Sequence, residues 1–98
     1  MIQHIVLYKF EGISSGTLAQ IKNKFEQCKA ELSGIKELHF GENVSLKKHL
    51  DHGFNYALFM VFENVDVIKT YNELQAHKDA QTLMADYQNG VLVFDIEC

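Results

Sequence analysis

Hydrophobic residues occupy both parities of two short stretches of this chain. In residues 54–63, Phe54, Tyr56, Leu58, Met60 and Phe62 fall on one side of an extended backbone, and Ala57, Phe59 and Val61 fall on the other. The aromatic and β-branched content, with Gly53 just before it, predicts a strand. Residues 2–10 repeat the pattern, with Ile2, His4, Val6, Tyr8 and Phe10 on one face and Ile5, Leu7 and Lys9 on the other. A strand with one wet face alternates apolar and polar, so both of these strands must be covered on two sides.

Between and after them the spacing changes. Leu18, Ile21, Phe25, Cys28 and Leu32 recur at three- and four-residue steps and predict a helix over residues 15–33. Its start is expected at the serines or at Thr17, where Gln20 completes a capping box, and Gly34 is expected in the left-handed position that ends it. Residues 35–44 are more polar and predict an edge strand, with a bulge at Gly41. Residues 45–53 are a loop. Asn64 caps a second helical region whose stripe Val65, Ile68, Tyr71 and Leu74 is out of phase with a later one, Ala76, Ala80, Leu83 and Tyr87. The phase change predicts a break within residues 74–78. Asn89-Gly90 ends that region, and residues 91–97 are the last strand, with Leu92, Phe94 and Ile96 facing one way and Val91, Val93, Asp95 and Glu97 the other.

The order β-α-β-β-α-β predicts an α+β, ferredoxin-like fold: a four-stranded antiparallel sheet with its first and third strands central. Two helical regions cover only one face. Ile5, Leu7, Ala57, Phe59, Val61, Leu92, Phe94 and Ile96 would then lie on the bare face. Leaving them wet forgoes on the order of 10 kcal/mol, and apolar patches of that extent mark interfaces. A two-fold homodimer is therefore expected, sheet against sheet, through Ile5, Leu7, Phe59, Val61 and Phe94.

The 98 residues are expected to form one domain, residues 1–98, and the composition, 47% hydrophobic and 22% charged, is that of a folded globular chain. A net charge of −4, with Lys47-Lys48 the only adjacent basic pair, argues against a nucleic-acid partner. Cys28 and Cys98 are expected as reduced thiols. Neither an export signal nor an apolar run near the ~20 residues that span a bilayer is evident, so a cytoplasmic location and no membrane partner are expected.

Four segments in order, HIVLYKF, GFNYALFMVFENVD, YNELQAHK and VLVFDIE, resemble the stress-responsive dimeric α/β-barrel (Dabb) domain family nearly from end to end. The resemblance implies a ferredoxin-like chain whose sheets pair into a dimeric α/β barrel. The family includes stress-induced plant proteins, uncharacterised bacterial proteins and a plant polyketide cyclase with a pocket between helices and sheet. On that resemblance the cyclase's tyrosine and histidine match Tyr71 and His77, and a first-strand histidine matches His4. Val6, Tyr8, Leu58 and Met60 would form the ligand-binding wall. Where the cyclase has His-Pro after its tyrosine, this chain has Leu74-Gln75.

The residues, taken with what the resemblance implies, give two readings. One is a stress-responsive dimer, with a small apolar pocket between sheet and helices, that binds without catalysing. The other is a cofactor-free cyclase- or lyase-like enzyme with a His/Tyr acid–base pair, His77 as base and Tyr71 as hydrogen-bond donor to an enolate. Tyr71 and His77 are six residues apart, ~240° around an unbroken helix, so they converge only if the helix breaks. His4 is expected either as a neutral core histidine or as a pocket residue that orients a ligand. His39, His49 and His52 do not supply the convergent ligands a zinc site needs, and no metal or cofactor is implied. Asp95 and Glu97 are expected as solvated edge-strand carboxylates.

Overall fold

The computed structural model describes residues 1–98. Strand β1 (Ile2–Phe10) leads into α1 (Ser15–Glu31), β2 (Ile35–Glu42), a single 3₁₀ turn (Lys48–Leu50), β3 (Tyr56–Phe62), α2 (Val65–Glu73), α3 (Gln75–Met84) and β4 (Gln88–Glu97). The four strands form one antiparallel sheet in the order β2-β3-β1-β4. The two strands that are apolar on both faces are the central pair, as the ferredoxin-like pattern requires.

The helices pack on one face. Under them lie Val6, Tyr8 and Phe10 from β1 and Leu58, Met60 and Phe62 from β3. They meet Ile21, Phe25 and Cys28 of α1 and Tyr71, Ala76, Ala80 and Met84 of α2 and α3. The face opposite the helices has no such cover. Ile5, Leu7, Ala57, Phe59 and Val61 are half-buried, and on β4 Leu92, Phe94 and Ile96 are exposed, Phe94 at 57%. The loop after β2 overhangs one end of this face, where it encloses a groove with Leu7, Ala57 and Leu92.

Several local expectations are corrected. Of the possible caps, Ser14 is used: its Oγ accepts from Thr17 N at 3.1 Å, so the Thr17-Gln20 box does not form. The helix ends at Leu32 in extended conformation, and Gly34 is not left-handed. Gly34 is needed for space, because a Cβ there would come within 2.5 Å of Val67 Cγ2 and 3.2 Å of Val67 Cβ. Gly34→Ala is therefore expected to destabilise the fold by about 1–3 kcal/mol through overpacking. Thermal unfolding measures this, and adding Val67→Ala should recover part of the loss.

The β2 bulge lies at Lys36, between Ile35 and Glu37, and not at Gly41. The extra residue lets Ile35 and Leu38 pack toward one core despite their odd spacing. Phe54 does not join the helix-side row. It precedes β3, and its ring lies beneath Lys9 Nζ, 4.8 Å from the ring centroid, at the end of the bare face. Asn89-Gly90 does not end the helical region either, since β4 already begins at Gln88.

The break between α2 and α3 falls at Leu74, which is extended (φ −64°, ψ 136°) and serves both as the end of α2 and the start of α3. Its N–H donates to the Tyr71 carbonyl at 3.1 Å, and its carbonyl accepts from Lys78 N at 3.2 Å. One non-helical residue thus redirects the chain without leaving its own backbone groups unpaired.

Candidate active site

The redirection at Leu74 brings two side chains together. The Tyr71 and His77 rings stack with centroids 4.2 Å apart and planes 24° from parallel. Across from them, on β1, the His4 ring lies edge-on to Tyr71 at 6.3 Å and to Phe62 at 5.5 Å. All three line one cavity of about 370 Å³ between the sheet and the α2–α3 elbow. Val6, Tyr8 and Leu58 form its apolar wall, while Met60 is completely buried in the core and does not line it. Val91 and Val93, on the helix-facing side of β4, also line it and are exposed.

Asp95 is not a solvated partner of Glu97. In the β1–β4 register it lies directly opposite His4, and its Oδ1 is 2.6 Å from His4 Nδ1. In the neutral ring the Nδ1 proton is donated to this carboxylate, which fixes the tautomer and leaves Nε2 as the acceptor. A buried imidazole oriented by a half-exposed carboxylate is the geometry of a general base.

The two phenols are suited to donate. Tyr8 and Tyr71 are 4% and 1% exposed, and neither hydroxyl has a hydrogen-bond partner in the chain. Burial pushes the pKa of both far above the ordinary phenol range, and at Tyr71 the neighbouring Tyr8 and Cys28 add to it. Both therefore stay protonated at any physiological pH. Burial likewise holds the Cys28 thiol up at about 11, which makes it a packing residue and not a nucleophile.

His77 Nδ1 is buried with no partner in hydrogen-bonding geometry. Burial lowers the His77 pKa from the usual imidazole value, the Asn72 carbonyl opposes this, and a proton on the neighbouring His4 adds to the lowering. The ring is thus neutral in the fold and binds its proton less readily than in the unfolded chain. Its neutral form contributes stability above the ordinary value of 6.5, and this is lost as pH falls through the lowered folded value. His77→Phe, which keeps a stacking ring, should give a flatter curve of melting temperature against pH below about 6.5 than the wild type. Superimposable curves would mean that His77 does not carry the acid sensitivity.

The remaining histidines stand apart. His39 stacks on Phe59 at 6.1 Å on the bare face. His49 is in the 3₁₀ turn, and His52 follows it at φ 54°. No group of three or more His, Cys, Asp or Glu side chains is placed to hold a metal ion.

A family model described as the stress responsive A/B barrel domain (Dabb) matches residues 2–98. The chain belongs to the Dabb family. No curated protein matches it. The Dabb chain is similar in structure to At3g17210 from Arabidopsis thaliana, with a TM-score of 0.84 at 22% identity over 100% of this chain and 95% of that one. It is also similar to a dimeric ferredoxin-like protein of unknown function from Jannaschia sp., with a TM-score of 0.82 at 23% identity over 99% and 98% of the two chains. A hydroxynitrile lyase from Passiflora edulis gives a TM-score of 0.80 at 15% identity over 97% and 90%. At these identities the likeness is one of fold. No helix of this Dabb chain is long and apolar enough to cross a membrane.

Proposed function

We propose that this Dabb protein is a homodimeric, cofactor-free acid–base enzyme that makes or breaks a carbon–carbon bond beside a carbonyl group. The observation that carries the reading is the His4–Asp95 pair facing the unpartnered Tyr71 hydroxyl across one cavity. His4 Nε2 takes a proton from the carbon next to the carbonyl, and the electron pair moves onto the carbonyl oxygen. Tyr71 donates a hydrogen bond to that developing enolate oxygen. The enolate carbon then attacks a second carbonyl of the same molecule, and His4 returns its proton to the new alkoxide. Run backward, the same steps cleave the bond. The use of this fold by a hydroxynitrile lyase lends support to chemistry of this type on the scaffold.

The stacking geometry favours His4 over His77 as the base. The His77 ring lies flat on the phenol ring and has no carboxylate behind it, so it acts by holding Tyr71 in place. The reading is tested by incubating the protein in D₂O with small methyl ketones and following deuterium entry at the α-carbon by NMR. Wild type should exchange faster than buffer and His4→Gln should not. Equal rates in both proteins would remove His4 from the chemistry.

The homodimer is part of the proposal. It forms through Ile5, Leu7, Phe59, Val61 and Phe94, the face the helices leave bare. The Jannaschia relative of the same fold is described as dimeric, which supports pairing.

A further inference from the structure

We infer that the loop between β2 and β3 docks on an anionic lipid surface, with Val44 and Leu46 inserted among the lipids and Lys47 and Lys48 at the headgroup phosphates. Such docking needs nothing from the cavity. The expectation of no membrane partner rests on the lack of a spanning segment, and a chain that does not cross a bilayer can still lie against one.

Single exposed aliphatic side chains are ordinary on a protein surface. This pair is not. Leu46 is 97% exposed and Val44 86%, the two most exposed large hydrophobic residues of the chain, and neither packs on the core. They stand one residue apart on a turn that the loop holds in place. Asn43 Oδ1 accepts from Ser45 N at 2.8 Å, Ser45 Oγ accepts from Lys47 N at 3.1 Å, and Asn43 N donates to Asn55 O at 2.9 Å. The backbone on either side of Leu46 is already ordered, so docking costs little further entropy there. The second copy does not account for these side chains. Where the loop overhangs the bare face, Ser45, Lys47 and Leu50 line the groove, whereas Val44, Leu46 and Lys48 do not.

Charge favours a lipid surface as the occupant. Lys47 and Lys48 follow Leu46 directly, and neither makes an ion pair within the chain. Between Glu42 and Glu63 the one acidic residue is Asp51, whose carboxylate is engaged by Asn43 Nδ2 at 3.5 Å and Gly53 N at 2.9 Å. The tip therefore presents aliphatic side chains and unpaired ammonium groups together, on a chain whose net charge is −4. A long lysine stem keeps its ammonium at headgroup level while neighbouring aliphatic groups go deeper. Each lysine beside an anionic leaflet adds to the attraction.

The test uses the full chain with two kinds of vesicle, phosphatidylcholine alone and phosphatidylcholine with about a third phosphatidylserine. The chain contains no tryptophan, so Leu46→Trp places a single reporter at the tip. Its emission should shift to the blue with the phosphatidylserine vesicles and not with phosphatidylcholine alone, and the shift should fade as salt is raised. In co-sedimentation, Leu46→Ser and the double variant Lys47→Glu/Lys48→Glu should each bind the phosphatidylserine vesicles at least about tenfold more weakly than wild type. All three positions are exposed, so the fold and the rate of deuterium exchange should be unchanged. No blue shift, equal binding to both kinds of vesicle, or loop variants that bind as tightly as wild type would overturn the inference. A change in the mass of the assembly on Leu46→Ser would overturn it too, because the tip would then be seated on a second copy. His4→Gln should bind vesicles as wild type does, so loss of vesicle binding and loss of exchange report separately on the loop and on the cavity.

Discussion

Tyr71→Phe and His4→Gln should each lower the rate of α-proton exchange by about 100- to 1,000-fold, with the fold intact. Tyr71→Phe removes one oxygen from a side chain that is 1% exposed and leaves its ring stacked on His77. The hydroxyl has no partner within the chain, so its loss breaks no internal hydrogen bond and stability should scarcely change. Only the enolate loses its donor. His4→Gln removes the base while keeping a polar side chain within reach of Asp95. Because the two groups act on the same step, the double variant should be little worse than the poorer single one. His77→Phe sets the contrast. If His77 only holds Tyr71, the variant keeps most of the activity. If it costs as much as His4→Gln, the base is His77, and Asp95 is orienting the wrong ring.

The second large effect is expected at the opposite face. Phe94→Asp should convert a dimer into monomers in size-exclusion chromatography, with an unchanged far-ultraviolet circular dichroism spectrum. Phe94 is 57% exposed in the single chain, so the isolated fold has little to lose from the substitution. In a paired sheet the same position is covered, and an aspartate there would bury a charge without a partner, a penalty of several kcal/mol. The site is a cleaner probe than Phe59, which is half-buried and stacked on His39 within one chain. Phe94→Leu should remain dimeric. An aspartate variant that still elutes as a dimer would move the interface elsewhere.

The fold was legible because its determinants are local or periodic. Two strands apolar on both faces could only be central, and the phase change between the stripes of Tyr71 and Ala76 marked the elbow that the structure places at Leu74. That elbow also carried the convergence of Tyr71 and His77. What stayed hidden depended on register and on close approach between distant segments. Asp95 was visible on the helix-facing side of β4. Its pairing with His4, 91 residues away, needs the strand register, which no single stretch encodes. Gly34 read as a helix terminator because the Val67 side chain that demands its missing Cβ comes from another element. Met60 shares parity with Leu58, yet only Leu58 reaches the cavity, since the helices close over Met60. Asn55, unremarked in the sequence, accepts from Phe10 N at 2.9 Å and donates to Phe10 O at 2.8 Å, tying the end of β1 to the entry of β3.

The account divides the sheet into two faces, one sheltering the site beneath the chain's own helices and the other requiring a second copy. Sedimentation equilibrium of the wild-type chain at micromolar concentration tests that division most directly. A mass of twice the 11.2 kDa of one chain is predicted, and a mass of 11.2 kDa would contradict it.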